Sequence, residues 1–207
     1  MRMSRLVVGP VSTNCYIISN EETKEAFIID PGEEAERIEQ KLQEEQLELK
    51  AILLTHGHFD HMMAVNELLE KHRVEVYIGE NELELLRDPY QNCSGSMMNR
   101  PYIAKAHKTL RDNDILELAG MTIKVLYTPG HTSGGVCYYL ETENVLFSGD
   151  TVFCQSVGRS DLPTGNGRVL QESIRKKIVP LPEDMQIFPG HGDSTILSYE
   201  KQYNPYF

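Results

Sequence analysis

Four short apolar segments of this 207-residue chain each end in a glycine beside a histidine or an aspartate. They read AILLTHGH, KVLYTPGH, VLFSGD and QIFPGH. Apolar runs of this length, bounded by turn residues, are typical of buried β-strands. Glycine at a strand end permits a sharp exit and a close backbone approach. If the strands are parallel neighbours, their polar ends lie along one rim of a sheet, where α/β proteins build their sites.

The remaining pattern predicts strands in both halves of the chain, each set followed by helices. The first helix is predicted within DPGEEAERIEQKLQEEQ, where Ile38 and Leu42 have helical spacing after an acidic first turn. A later helix is predicted over residues 168–178, and residues 88–113 are predicted to form a loop that covers the site. Two sheets packed together with helices outside form an α/β four-layer αβ/βα sandwich. Because no linker or low-complexity tract divides the chain, we expect one domain over 1–207.

The amino-acid composition limits the classes of protein to which this chain can belong. Hydrophobic residues make up 40% and charged residues 25%, as in soluble globular proteins. The net charge of −11 repels phosphate backbones, so no nucleic-acid partner is expected. No apolar run approaches the roughly 20 residues that span a bilayer, and no signal segment opens the chain, so we predict a cytoplasmic protein without a membrane partner. The four cysteines form no C-x-x-C pair and are predicted to be reduced, mostly buried thiols.

The segment HGHFDH places four polar side chains within six positions, directly after a predicted buried strand. His56 and His58 are two residues apart and point to the same side of an extended segment. Asp60 and His61 follow at a predicted helix start. A lone T-P-G-H or S-G-D is more often a turn than a metal site, but packing gives no reason for this crowding. The later strand ends bring the candidate ligands to seven, which suits two zinc ions if one carboxylate bridges them: His56, His58, Asp60, His61, His131, Asp150 and His191.

The motif H-x-H-x-D-H, followed by a later His, Asp and His, resembles the signature of the metallo-β-lactamase fold superfamily. The resemblance extends from GPVSTNCY to the end of the chain. It implies the metallo-β-lactamase fold and two divalent metal ions, most simply zinc, with iron or manganese possible because His and Asp accept all three. By position, the first metal would be bound by His56, His58 and His131, the second by Asp60, His61 and His191, and both by a bridging Asp150.

Within the superfamily, TPGHTSGG and FSGDTVF resemble glyoxalase II, the hydroxyacylglutathione hydrolases. This resemblance implies that a hydroxide bridging two metal ions cleaves a small thioester, S-2-hydroxyacylglutathione or a related compound, with Asp60 orienting the hydroxide. The chain stops soon after GHGDST, so the C-terminal helical domain of the longer enzymes is expected to be absent. VGRSDLPTG replaces their glutathione-binding stretch. Arg159 there is predicted to bind a substrate carboxylate; the alternative is an ion pair with Asp161.

A second reaction class stays open. GRSDLPTG also resembles the G-R-[ST]-D stretch of persulfide (sulfur) dioxygenases, which share this fold and use one iron. That reading would need only His56, His131 and Asp150. A β-lactamase is disfavoured by the missing export signal and by the all-His/Asp ligand set, a nuclease by the acidic charge, and a non-catalytic module by the complete set of ligands.

Two further side chains have competing interpretations. Asp30, in IIDPG, either supports the ligands from beside the site or caps the following helix. Cys154 follows the predicted ligand Asp150 closely, but no histidine is left to activate it. It is therefore predicted to be a buried structural thiol rather than a nucleophile.

Overall fold

Two six-stranded sheets lie face to face in the computed structural model, which describes residues 1–207. In the first sheet β1, β2 and β3 are antiparallel neighbours, whereas β3, β4, β5 and β6 run parallel. From one edge to the other its strands are β1 (Arg2–Val8), β2 (Thr13–Ser19), β3 (Glu25–Ile29), β4 (Glu48–Leu53), β5 (Glu75–Gly79) and β6 (Lys108–Leu110).

The second sheet is formed mainly by the second half of the chain. Its strands, numbered along the chain, are β7 (Ile115–Leu118), β8 (Met121–Tyr127), β9 (Val136–Leu140), β10 (Val145–Gly149), β13 (Gln186–Pro189) and β14 (Thr195–Ile196). Their spatial order is β14-β13-β10-β9-β8-β7, with β10 and β13 parallel. A small antiparallel hairpin of β11 (Val152–Phe153) and β12 (Ser156–Val157) follows β10.

Six α-helices are short, and none has the length and apolar composition that a transmembrane span requires. Single turns of 3-10 helix occur at Phe59–His61 and Glu80–Glu82, and a π-helical segment, Ile174–Ile178, extends α5. The predicted helix at 168–178 is thus present with a change of helix type. The α-helices are α1 (Ala35–Glu44), α2 (Val65–Lys71), α3 (Leu83–Arg87), α4 (Ser94–Met97), α5 (Gly167–Ser173) and α6 (Leu197–Tyr203).

Alternation along the strands produces four layers. Successive strand residues point to opposite faces of a sheet. In β4, Ile52 packs with Ile38 and Leu42 of α1, whereas its neighbour Leu53 belongs to the core between the two sheets. In β9, Tyr138 lies in that central core and Cys137 packs on the α5 side. The predicted αβ/βα sandwich is confirmed.

The polar strand ends meet at one edge of the sandwich, although only β10 and β13 are neighbouring strands of one sheet. β4 lies in the first sheet, and β8, β10 and β13 lie in the second. Within the second sheet, β9 separates β8 from β10 and runs antiparallel to both, so β8, β10 and β13 share one direction. The site is therefore built between the two sheets rather than along a single rim.

The predicted loop 88–113 is partly ordered into secondary structure. It contains α4 and the edge strand β6, which pairs with β5. Cys93 and Met97 from this segment border the cavity at the polar edge of the sandwich. The segment thus covers part of the site, as its composition indicates.

Candidate metal centre

Seven histidine and aspartate side chains converge where the two sheets meet. Their potential ligand atoms form three overlapping groups, and within each group all atoms lie within 4.8 Å of one another. Two of these groups are the predicted metal triads. We call them the first triad (His56, His58 and His131) and the second triad (Asp60, His61 and His191). The third group joins His56 and His61 to Asp150.

Asp150 lies between the two triads. Its Oδ2 is 3.5 Å from His131 Nε2 of the first triad and 3.6 Å from His191 Nε2 of the second. Its Oδ1 is 3.4 Å from His61 Nε2. One carboxylate therefore faces ligand atoms of both triads, which is the position that a bridging ligand requires.

Hydrogen bonds on the far side of three imidazoles orient their Nε2 atoms toward the centre. His131 Nδ1 donates to the Arg159 carbonyl at 2.6 Å. His61 Nδ1 lies 3.0 Å from Asp30 Oδ2, and His56 Nδ1 lies 3.1 Å from Thr55 Oγ1. A partner of this kind fixes ring orientation and tautomer in metal-binding histidines. These contacts leave the Nε2 lone pairs available to a cation.

The buried atoms of the cluster fit a bound metal. His56 Nε2, His61 Nε2 and Asp150 Oδ1 are buried and have no hydrogen-bond partner. An unsatisfied buried polar atom costs about 1–3 kcal/mol. In addition, His58 Nδ1 and His131 Nε2 face each other at 3.0 Å, although each is a potential lone-pair donor. Divalent cations at the two triads, with Asp150 shared between them, would satisfy these atoms.

Charge differs between the two triads. Burial, with His61 and His131 nearby, lowers the pKa of His56 well below its usual range, and burial beside His131 lowers the pKa of His58 to about 3. Burial also opposes protonation of His61, but the carboxylates of Asp60, Asp150 and Asp30 outweigh it and raise the pKa to about 10. The first triad is therefore a neutral nitrogen site, whereas the negative charge of Asp60 in the second favours a positively charged partner, either a proton on His61 or a metal ion.

Asp60 makes its contacts through one oxygen. Oδ2 accepts a hydrogen bond from Thr13 Oγ1 at 3.0 Å and lies 3.1 Å from His191 Nε2. Asp60 belongs to the 3-10 turn Phe59–His61, and α2 begins only at Val65. The helix start predicted at Asp60 is therefore present as a single 3-10 turn, which places His61 in the cluster, and the α-helix begins several residues later.

Asp30 supports the ligands rather than capping a helix. Its carboxylate accepts from the Thr55 backbone N–H at 2.8 Å and from Thr55 Oγ1 at 2.7 Å, in addition to its contact with His61. The residue preceding α1 is Glu34. Asp30 has a φ of 51°, an uncommon conformation for a residue with a side chain. Of the two interpretations open from the sequence, the supporting role is the one observed.

Strand β2 fixes the turn that carries His191. The Asn14 N–H donates to the Gly190 carbonyl at 2.7 Å, and the Tyr16 hydroxyl donates to the Pro189 carbonyl at 2.6 Å. Gly190 allows this turn to approach the centre, since a Cβ there would lie 2.3 Å from Asp150 Oδ1. Sequence reasoning missed these partners. The one signal was the polar stretch STN beside an otherwise apolar strand.

A cavity of about 390 Å³ opens onto the cluster. Ligand pockets commonly measure about 300–1,000 Å³. Ligand residues of both triads form its floor. Apolar side chains form much of its wall: Val11, Phe59, Met97, Phe153, Val157 and Leu162.

Arg159 lines this cavity, and its guanidinium is bound by a carboxylate of the protein. Nε and one terminal nitrogen donate to the two carboxylate oxygens of Asp161, both at 2.7 Å. Hydrogen bonding to Arg159 lowers the pKa of Asp161 to about 2. The ion pair that was the alternative for Arg159 is therefore present, and substrate binding by Arg159 stays a prediction.

Cys154 is exposed, so the prediction of a buried thiol is wrong for this residue. It lies in the two-residue turn between β11 and β12. The other three cysteines are buried, as predicted.

A four-layer αβ/βα sandwich with a His/Asp cluster at its strand ends defines a class of metal-binding proteins. Residues 8–191 match the model of the metallo-beta-lactamase superfamily. The chain belongs to this superfamily, as the sequence motifs imply.

Two relatives that match over their full length carry hydrolase descriptions. The chain is 37% identical to the probable metallo-hydrolase YqgX of Bacillus subtilis over all of its own length and 97% of that protein. It is also 37% identical to the hydroxyacylglutathione hydrolase GloC of Haemophilus influenzae, over all of its length and 98% of that protein.

Solved structures with the same fold have diverse descriptions. The BLEG-1 B3 metallo-beta-lactamase matches with a TM-score of 0.95 and 42% identity, over 99% of both chains. TTHA1623 in a di-iron-bound form matches with a TM-score of 0.87 and 33% identity, over 99% of this chain and 100% of that one. ETHE1 from Myxococcus xanthus matches with a TM-score of 0.83 and 29% identity, over 99% of this chain and 84% of that one.

Proposed function

We propose that this protein is a hydrolase dependent on two metal ions, most simply zinc, and that it cleaves a small thioester such as an S-2-hydroxyacylglutathione. The observation that carries the proposal is the placement of Asp150 between two ligand triads at the floor of an open cavity. The full-length similarity to a hydroxyacylglutathione hydrolase supports the choice of substrate class.

In this proposal His56, His58 and His131 hold one ion, Asp60, His61 and His191 hold the other, and Asp150 contacts both. Divalent metals held there would lower the pKa of bound water toward about 7 and would polarise a carbonyl oxygen. The donor atoms of the seven side chains do not discriminate between zinc, iron and manganese, because imidazole and carboxylate groups bind all three. The di-iron form of TTHA1623 is a case of iron in a related chain.

The residues of the chain bind and orient the substrate. The apolar wall excludes water from one side of the cavity and accommodates the acyl and thiol portions of a thioester. Asp60, held through Oδ2 by Thr13, presents its other carboxylate oxygen to orient the attacking nucleophile. A substrate carboxylate would compete with Asp161 for Arg159. Since both partners of that ion pair are more than half exposed, its replacement costs little.

Hydrolysis assays with the zinc-loaded protein test the proposal. S-lactoylglutathione, an acyl-coenzyme A thioester and the chromogenic β-lactam nitrocefin are compared, with Asp150→Ala as the inactive control. The proposal predicts turnover of at least one thioester and its loss in the control. Turnover of nitrocefin alone would contradict the proposal and would assign to this chain the activity named for BLEG-1.

A second candidate is a persulfide dioxygenase with one iron. The GRSD stretch favours it, and the similarity to ETHE1 is compatible with it. This activity needs only His56, His131 and Asp150, and it assigns no role to the second triad. Oxygen consumption by the iron-loaded protein with glutathione persulfide, in the absence of thioester turnover, would favour this candidate over the hydrolase.

A further inference from the structure

Glu82 is a fully buried carboxylate outside the metal cluster. It ends the 3-10 turn Glu80–Glu82 that follows β5. Its two oxygens accept separate backbone hydrogen bonds: Oε2 from the Gly57 N–H at 2.7 Å and Oε1 from the Gly134 N–H at 2.6 Å. Burial of an ionisable carboxyl is costly unless both oxygens find such partners.

The two hydrogen-bond donors belong to the two loops that carry the first triad. Gly57 lies between His56 and His58, after β4 of the first sheet. Gly134 lies in the turn that begins at His131, after β8 of the second sheet. The two sheets are packed face to face. Beside these loops a backbone hydrogen bond from the Val136 N–H to the Thr55 carbonyl, at 2.9 Å, also joins them. One carboxylate therefore connects the two loops across the interface between the sheets.

The backbones of the two loops are in close contact with the segment that carries Glu82. A Cβ on Gly134 would lie 2.6 Å from the Asn81 carbonyl carbon and 2.7 Å from the Glu82 nitrogen. A Cβ on Gly57 would lie 3.0 Å from Leu85 Cβ. Glycine at both positions lets the ligand loops rest directly against the segment that carries Glu82. Displacement of Glu82 would therefore shift both loops.

We propose that Glu82 is a positioning residue for the first metal, fixing the distance between the His56–His58 loop and His131. This inference rests on the proposed function, since it presupposes a metal at the first triad. Glutamine at this position would keep the size but place an amide NH₂ against one of the two backbone N–H groups. Only a carboxylate offers an acceptor to both loops at once.

Glu200 provides a matched control. It is also fully buried, and its carboxylate accepts from the Gln155 N–H at 2.8 Å, from Thr195 Oγ1 at 2.6 Å and from Asn204 Nδ2 at 2.7 Å. None of these partners lies in the loops of the first triad. Glu200→Gln therefore removes an equivalent buried carboxylate without touching those loops.

The test measures Zn²⁺ affinity by competition with a chromophoric chelator, the absorption spectrum of the Co²⁺-loaded protein, and the melting temperature of the metal-free protein. Changes to residues that hold metal ligands in position typically weaken metal binding by about 10–100-fold. We expect Glu82→Gln to lower the affinity for one of the two Zn²⁺ ions by about tenfold or more. We also expect it to alter the absorption spectrum of the Co²⁺-loaded protein. Glu200→Gln should lower the melting temperature and keep both affinities. If Glu82→Gln does not fold, Glu82→Asp, which keeps both oxygens on a shorter side chain, should show the same change.

Wild-type zinc affinities in Glu82→Gln or the folded Glu82→Asp, or an equal loss of affinity in Glu200→Gln, would overturn the inference. Those results leave the proposed function intact. A wild-type protein that binds no Zn²⁺ or Co²⁺ would instead overturn the proposed function, and the inference with it. The two failures are thus distinguishable.

Discussion

Asp30 Oδ2 lies 3.0 Å from His61 Nδ1, and the same oxygen accepts a hydrogen bond from Thr55 Oγ1 at 2.7 Å. Thr55 Oγ1 in turn lies 3.1 Å from His56 Nδ1. A single buried carboxylate thus orients one histidine of each triad, His61 directly and His56 through a hydroxyl.

Asp30→Asn is expected to weaken the binding of both metal ions, whereas Thr55→Val should weaken mainly the binding of the ion at the first triad. The valine removes the hydroxyl between Asp30 and His56 but leaves the contact of Asp30 with His61. Losses of about 10–100-fold are expected for such partners of metal-binding histidines. Zinc affinities of the two sites, measured by chelator competition, check this. Unchanged affinities in Asp30→Asn would contradict the supporting role.

Gly190→Ala is expected to abolish binding of at least one metal ion. The new Cβ would lie 2.3 Å from Asp150 Oδ1 and 2.7 Å from His61 Cε1, so a ligand must move. Gly192→Ala is the control: its Cβ meets nothing within 4 Å, although its φ of 75° carries a strain of about 1 kcal/mol for alanine. The control should lose stability and keep its metal. Equal metal content in both variants would refute the steric account.

The native protein is expected to react with a thiol reagent at Cys154 alone. Burial raises the pKa of Cys15 well above its usual range, that of Cys137 to about 11, and that of Cys93 less strongly. Thiolate is the reactive form, so these three should react only after unfolding. Titration with Ellman's reagent should give one fast thiol in the native protein and none in Cys154→Ser. Fast labelling of Cys15 or Cys137 would be inconsistent with the fold.

Stability should depend on pH through Glu39. Burial would raise the pKa of Glu39, but hydrogen bonds from His72, at 2.6 Å, and Gln43 outweigh it and lower the pKa below 4.5. A lowered folded-state pKa stabilises the protein above the unfolded value, and the effect is lost as pH falls through the folded value. Glu39→Gln should therefore cost about 1 kcal/mol at pH 7 and progressively less below pH 4.5. Urea unfolding of the wild type and of Glu39→Gln across this pH range tests this prediction. A stability difference that grows as the pH falls would contradict it.

The clustering of the seven candidate ligands was predictable because packing alone gives no reason for these residue types to crowd after a buried strand. HGHFDH crowds polar groups after a strand of apolar residues, and the later ligands repeat the same strand-glycine-ligand pattern. Both predicted triads are present as groups of ligand atoms in the structure. The order of predicted strands and helices in the two halves of the chain also predicted the layers.

The supporting residues were not predictable, because their burial arises from contacts distant in sequence. Glu82 lies in the stretch GENELELL, which reads as an exposed helix turn. It becomes a buried acceptor only when the second sheet brings Gly134 against it. Asn14 and Tyr16 bind a turn that lies more than 170 positions away. The exposure of Cys154 was not predictable either, because it lies in the two-residue turn of the β11–β12 hairpin and the local sequence carries no sign of that turn.

The central claim is that the two triads and Asp150 form a two-metal centre. Elemental mass spectrometry of the zinc-reconstituted protein, after removal of loosely bound ions, tests it most directly. With about four ligands for each ion and Asp150 shared, the account predicts about two ions per chain for the wild type. It also predicts that Asp150→Ala loses metal. A stoichiometry of one ion in the wild type, or full metal content in Asp150→Ala, would contradict the account.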